Sequence, residues 1–343
     1  MGAARTLGCA LVVLVHANIY LRGDLGAWWP AGQWGAPFFG LAVPTFLLVS
    51  GYSTGLAHAG IGFWTYARRR LRRLLPPLAF WTAILLALGY GGSQEWPALL
   101  LDVVTGVWHL YYLFVMLQFA LVVFWLGRRV GPERLGWVWA GAAALSLLAY
   151  GASDVLLWTR GGDGGAMERQ LEKWLPTWSV FLATGLVLRQ RPELLARLRA
   201  RTVPLVLLVA ALYAAYVWEF RVEERWLAYH PRQQLLILGG PFQWAGVLLL
   251  LRALDAARRG RWTGAAVARL AQASRHTFAV YLAHPAVIVV LLALGNAAGL
   301  PMTHWACVPL VAVLTWAICW GLWRLVGRAR RPWLERLMFG GLA

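Results

Sequence analysis

Residues 5–21 read RTLGCALVVLVHANIYL, an apolar run that carries two ionisable side chains. Taken from residue 4 it has close to the ~20 residues a helix needs to cross a bilayer. Arg5 and His16 are eleven positions apart. At ~100° per residue that is three turns with only ~20° of drift, so both project from one face, separated by ~16 Å of rise. Ionisable groups in hydrocarbon are costly and usually mark a functional path. The plainer reading is a histidine packed against a neighbouring helix and satisfied by one hydrogen bond.

The rest of the chain is of the same kind. Of its 343 residues, 60% are hydrophobic and 13% charged, and the mean hydropathy is +0.59. A soluble domain carries roughly 25% charged residues. Stretches of about membrane-crossing length occur at 4–21, 38–57, 74–92, 105–126, 136–158, 174–188, 202–219, 233–251, 275–295 and 305–324. They predict an all-α, polytopic transmembrane protein of about ten spans, forming one domain over residues 1–343 with no appended soluble domain. The first stretch lacks a small-residue cleavage site and reads as a span, not a cleaved leader.

Charge orients these spans. With the N-terminus in the cytoplasm, the inner segments hold 25 Lys and Arg against four acids, Glu133, Glu193, Asp255 and Glu335. The outer loops hold seven basic and ten acidic residues. This separation fits the positive-inside rule for ten spans with both termini in the cytoplasm, and the expected location is the cell inner (plasma) membrane. It also explains the isoelectric point near 11.0: short basic loops lie against anionic membrane lipid, and they form no nucleic-acid module. Trp28, Trp29, Trp34, Trp96, Trp158, Trp174, Trp226 and Trp305 fall near outer edges, and Trp64, Trp125, Trp137, Trp262 and Trp333 near inner ones, as an aromatic belt. Cys9, Cys307 and Cys319 are odd in number and far apart in spans, so no disulfide and no metal site are expected. The glycine-rich, charged connection at 160–173 suits an outer flap, and the one at 219–232 is also charged.

Polar residues cluster at four places. FLLVSGYS, 46–53, sets Ser50, Gly51 and Ser53 in apolar helix, where small residues allow close helix approach and hydroxyls can bond across it. YARRRLRRLLPP, 66–77, puts five arginines in six residues beside the membrane. Arginine pairs bidentately with phosphate, although anchoring alone also accounts for such a run. Pro76 and Pro77 are expected to set the start of the next helix. WHLYYLFVMLQF, 108–119, follows Asp102 by a short interval. Asp102 and His109 share a face if the helix begins early enough, and the carboxylate can then orient the imidazole; otherwise Asp102 is a solvated loop residue. SRHTFAVYLAHPAV, 274–287, places His284 midway through a span, with Tyr281 one turn before it. Pro285 frees a backbone carbonyl there and can bend the helix.

In order along nearly the whole chain, these elements are similar to the acyltransferase-3 family of integral membrane acyltransferases, which includes acetylases of O-antigen, peptidoglycan and other surface glycans. The resemblance rests on Arg5 and His16 with ten residues between them, FLLVSGYS, the R-x-x-R-x-x-P element of Arg70, Arg73 and Pro76, HLYYL followed by Gln118, and the late YLAHP. Val43 and Pro44 depart from the glycine-valine-aspartate-like lead of many relatives. The resemblance implies O-acetylation or a related transfer, in which cytoplasmic acyl-CoA, most often acetyl-CoA, gives its acyl group to a carbohydrate or glycolipid hydroxyl, with no bound cofactor. A neutral imidazole in such a site can act as general base or carry the acyl group covalently, so His16 is the candidate catalytic residue with Arg5. Arg5 can hold a CoA phosphate or stabilise charge on the thioester carbonyl. Arg70 and Arg73 would bind the nucleotide end of CoA, and Ser50, His109, Tyr112, Tyr281 and His284 would line the substrates. The residues alone also allow a transporter or flippase of sugar-lipid cargo that uses the histidines as a proton relay, with breaks at Pro285 and Pro44, or a non-catalytic scaffold.

Overall fold

The computed structural model describes residues 1–22, 38, 40–54, 61–89, 96–160, 170–227, 237–304 and 306–341. Trp28, Trp29, Trp34 and Trp305, and much of the connections at 160–173 and 219–232, lie outside the described residues. Every regular element among the described residues is helical. In order they are α1 (Gly2–Arg22), α2 (Ala42–Thr54), α3 (Phe63–Ala87), α4 (Trp96–Thr105), a 3₁₀ turn (Trp108–Leu110), α5 (Tyr111–Arg129), α6 (Leu135–Arg160), α7 (Leu175–Gln190), α8 (Glu193–Ala200), α9 (Thr202–Leu227), α10 (Gly239–Arg259), α11 (Thr263–Ala273), α12 (Thr277–Ala297), α13 (Cys307–Arg328) and α14 (Pro332–Phe339). A second 3₁₀ turn, Pro132–Arg134, links α5 to α6.

Among the described residues, six segments are long and apolar enough to cross a membrane: Gly2–Leu21, Trp108–Leu126, Leu135–Leu156, Thr202–Val222, Thr277–Ala297 and Cys307–Arg328. They fall into two groups by burial. Those on α1, α5 and α12 are 50–56% buried within the protein, and those on α6, α9 and α13 only 17–22%. The second group presents Leu148, Val155, Val203, Leu207 and Val313 outward, each more than half exposed, as helices in lipid do. α1 packs against α2, α11, α12 and α13, so the helix that carries Arg5 and His16 is central. The described tryptophans of the expected belt, Trp64, Trp96, Trp125, Trp137, Trp158, Trp174, Trp262 and Trp333, are all exposed and lie at or near helix ends.

Two proline readings are corrected. Pro76 and Pro77 do not start a helix; they lie inside α3, which runs unbroken from Phe63, so the arginine run is helical and not a loop. Proline's fixed φ is compatible with a helix, and the cost is the lost N–H bond. α3 is braced on both sides of the prolines by α14 and the residue after it: the Trp81 indole N–H donates to the Met338 carbonyl at 2.8 Å, and Gly340, at φ +71°, lies against the Arg73 carbonyl. Pro44 and Pro285 likewise leave α2 and α12 continuous. Pro44 falls in the first turn, where its missing N–H has no helical acceptor to lose.

α2 and α7, with 13 and 16 residues, are short and largely buried, and they cross at paired glycines. A Cβ on Gly51 would collide with the Leu182 carbonyl, and one on Gly185 with the Leu48 carbonyl. Gly51 of the Ser-Gly pair is thus a packing residue, as small residues at membrane-helix contacts usually are. Since the obstacles are backbone atoms, Gly51→Ala or Gly185→Ala should destabilise the detergent-solubilised protein by ~1–3 kcal/mol, the usual cost of overpacking. Gly141→Ala, where an added Cβ meets open space, should leave its melting temperature unchanged or raised. Equal melting temperatures for all three variants would contradict the crossing.

Candidate active site

The histidine cluster forms where the two central spans α1 and α12 meet the start of the third, α5. α12 supplies the first constraint. Pro285 has no N–H, so the carbonyl four residues earlier, that of Tyr281, lacks its helical donor. His284 turns back to it: His284 Nδ1 lies 2.7 Å from the Tyr281 carbonyl and 3.2 Å from that of Val280. Carbonyls only accept, so Nδ1 carries the proton, and Nε2 of the neutral ring is bare. His284 Nε2 lies 3.0 Å from His16 Nδ1, which is also 2.9 Å from the Val12 carbonyl. His16 Nδ1 is therefore an N–H shared between two acceptors. With both rings neutral, this chain of bonds leaves His16 Nε2 as the unprotonated nitrogen. His284 is fully buried, whereas His16 is half-buried.

His109 completes the cluster from an irregular segment. α4 ends at Thr105, Gly106 takes φ +101°, and Trp108 is held at φ +50°, a left-handed conformation that costs a bulky residue about 1–2 kcal/mol. The Trp108 ring wedges beside His16 at 4.5 Å and Tyr20 at 4.9 Å. His109 lies 5.0 Å from His284 and 6.1 Å from His16, ring centre to ring centre. The Tyr281 hydroxyl donates to the His109 carbonyl, which fixes the turn. Both ring nitrogens of His109 are buried with no hydrogen-bond partner among the described residues. A buried polar group without a partner costs free energy, and such groups collect where a ligand binds.

The backbone break overturns the pairing of Asp102 with His109. The two residues lie on different elements, and Asp102 is not a solvated loop residue either. It sits on α4 and accepts from Lys173 Nζ at 2.5 Å and Gln170 at 3.2 Å. Gln118 closes the same junction, donating to the Lys173 carbonyl and accepting from the Leu175 N–H that begins α7. These are structural ties.

Below the histidines, α2 links α1 to α5. The Ser50 hydroxyl and the Tyr112 hydroxyl are 2.7 Å apart, and Tyr112 packs edge-on against Tyr281 at 5.2 Å. Arg5 donates to the Ser53 hydroxyl at 3.0 Å. Arg70 lies over the buried Tyr66 ring at 5.3 Å, whereas Arg68, Arg69, Arg72 and Arg73 are exposed. Loss of some solvation, then the like charges of Arg70 and Arg5, hold the Arg73 guanidinium below its ordinary value. The three arginines thus share one electropositive zone at the Arg5 end of the cluster, and an anion there would relieve their repulsion. The structure brings His16, His109, His284 and Tyr281 into one cluster, links Ser50 and Tyr112 beside it, and sets Arg5, Arg70 and Arg73 at its base. The bond from Arg5 to Ser53 is of the cross-helix kind expected for the FLLVSGYS hydroxyls. Trp108, and Arg189, which lies over Tyr52 at 5.5 Å, are not among the expected site residues; an arginine ending a short apolar segment is the signal for Arg189.

A helical, multi-pass membrane protein with ionisable groups gathered between its most buried spans is built for chemistry inside the membrane unit. The chain belongs to acyltransferase family 3: the family model described as an acyltransferase domain matches residues 1–324 of 343. It is a membrane acyltransferase. No curated protein matches the chain, and no solved structure does.

The Asp102–Lys173 pair has side chains only 18% and 6% exposed. Breaking such a pair leaves a buried charge, so Asp102→Asn or Lys173→Met should each cost ~3–5 kcal/mol. The double variant should cost less than the sum of the two. Additive losses in a detergent melting series would show that the two groups do not interact.

Proposed function

We propose that this chain is an O-acyltransferase of the inner (plasma) membrane, with about ten spans and both termini in the cytoplasm. It moves an acyl group, acetyl first among the candidates, from cytoplasmic acyl-CoA to a hydroxyl of a surface glycan, lipid-linked sugar or similar acceptor. The single observation that carries the reading is the ordered histidine pair, which leaves a bare nitrogen on His16. The acceptor hydroxyl gives its proton to His16 Nε2 as its oxygen attacks the thioester carbonyl. The tetrahedral intermediate expels sulfur: the C–S bond breaks, the new C–O bond remains as the ester, and the proton on His16 passes to the CoA thiolate. His16 ends neutral, as it began. General-base help of this kind is typically worth ~10²–10⁴-fold.

The other groups follow from position. Arg5, Arg70 and Arg73 hold the phosphates of CoA on the cytoplasmic side, and arginine suits phosphate by its planar fork of donors. His109, with unpartnered ring nitrogens, takes a hydrogen bond from or gives one to the bound acceptor. Ser50, Tyr112 and Tyr281 line the passage between the two ends. His284 is a positioning residue: it holds the His16 tautomer and touches no substrate.

Two variants test this. His16→Gln keeps a polar side chain of related size but cannot take up a proton near neutral pH. With saturating acyl-CoA and acceptor, it should lose roughly 10²-fold or more in turnover at unchanged stability. Near-normal turnover would sink the mechanism. Pro285→Ala makes a less usual demand. It returns an N–H to the Tyr281 carbonyl, so the protein should be more stable, by up to the ~3 kcal/mol that a helix-interior proline costs. The restored N–H competes with His284, so kcat should fall while KM for acyl-CoA stays constant. A stabilised variant with unchanged kcat would remove His284 from the account.

A further inference from the structure

A second feature lies away from the histidine cluster and serves neither acyl-CoA nor the acceptor in the account above. Where α12 begins and α13 ends, a groove of about 740 Å³ opens on the protein surface. This is within the size range of ligand pockets, ~300–1,000 Å³. One wall comes from α11 and the turn after it, with Arg269, Arg275 and His276. The other is a face of α13, where Trp316, Trp320 and Trp323 recur at helical spacing.

The groove is divided in character along its length. At the basic end, Arg324 lies over the Trp320 ring at 4.3 Å, and His276 and Trp323 have ring centres 4.2 Å apart. Arg269 and Arg275 are exposed, and no acidic side chain lines the groove among the described residues. His276 Nδ1 is buried with no hydrogen-bond partner among those residues. Away from that end the wall becomes apolar, through Ala317 and Trp316 to Val313, which is 67% exposed. Val313 to Trp323 is ten residues, ~15 Å along the helix axis, about half the thickness of a hydrocarbon core. The same α13 is one of the three spans that present most of their surface outward.

A small soluble anion would use the arginines and leave the tryptophan wall bare. A neutral lipid would use the wall and leave three guanidinium groups uncompensated. We propose that the groove binds an anionic phospholipid, its phosphate held by Arg269, Arg275 and Arg324 with a hydrogen bond from or to His276, and one acyl chain laid along Trp320, Trp316 and Val313. Arginine at the membrane surface attracts anionic headgroups, and tryptophan favours the boundary between headgroup and chain. The site is thus a specific lipid seat, beyond the diffuse attraction of the basic loops.

The test uses the full chain in nanodiscs that contain a trace of phospholipid with a photoactivatable diazirine in its acyl chain, carrying either a phosphatidylglycerol or a phosphatidylcholine headgroup. Cross-links are mapped by peptide mass spectrometry. Phosphatidylglycerol should label residues 313–323 several-fold more than phosphatidylcholine does, and more than it labels the outward face of α9 at 203–208. Unlabelled phosphatidylglycerol should suppress the signal, whereas inorganic phosphate and CoA should not. Arg275→Gln with Arg324→Gln should reduce it by ~5-fold or more, on the scale expected for loss of each surface arginine's attraction. Equal labelling by the two lipids overturns the proposal, and so does suppression by CoA, which would make the groove a nucleotide site. The headgroup preference is read on the unsubstituted chain, so it decides the matter even if the double variant does not fold.

Discussion

The candidate site depends on one backbone carbonyl. Pro285 removes the N–H that would bond the Tyr281 oxygen, and His284 takes its place from within the same turn. That contact sets which nitrogen of His284 holds the proton. The bond from His284 to His16 then sets the same for the second ring, and the Val12 carbonyl agrees with it. A helix defect costing about 3 kcal/mol in a soluble host is thereby turned into order at a side chain on another span. Tyr281 acts twice, since its hydroxyl also holds the turn that carries His109.

The surrounding architecture makes this possible by sorting the spans. The three histidines sit on the three spans most buried in the protein, and the outward-facing spans carry none of them. Polar groups inside a membrane protein persist where neighbouring helices supply partners. Here the partners are backbone carbonyls, a tyrosine and other imidazoles, without a carboxylate in the cluster among the described residues. Two of the described acids are engaged elsewhere: Asp102 is tied to Lys173, and Asp255 to Arg199 and Arg259. The tight crossing of α2 and α7 at Gly51 and Gly185 holds Ser50 against Tyr112 and so fixes the floor between the histidines and the arginines.

What the sequence made legible is what depends on local spacing. The face shared by Arg5 and His16, the carbonyl freed at YLAHP and the small-residue role of the Ser-Gly pair all follow from helical periodicity or from the chemistry of one residue. Six of the expected apolar stretches are helices long and apolar enough to cross a membrane among the described residues. The parts that were not legible need partners distant in sequence. Gly185 is 134 positions from Gly51, and nothing local marks it as the other half of a crossing. Asp102 met Lys173 instead of His109 because Gly106 and Trp108 turn the chain through left-handed conformations, and a seven-residue spacing has meaning only on an unbroken helix. Pro76 and Pro77 look like a boundary, but α14 braces the helix through them from the other end of the chain.

The claim on which the account rests is the protonation pattern of the histidine pair, and nitrogen chemical shifts read it directly. In protein labelled with ¹⁵N-histidine and reconstituted in bilayers at neutral pH, with signals assigned by His16→Gln and His284→Gln, the account predicts that both rings are neutral with the proton on Nδ1. His16 Nε2 should then appear as an unprotonated nitrogen, and its shift should respond when acceptor is added. A His16 ring protonated on Nε2, in the absence of substrate, would contradict the assignment and remove the base from the site.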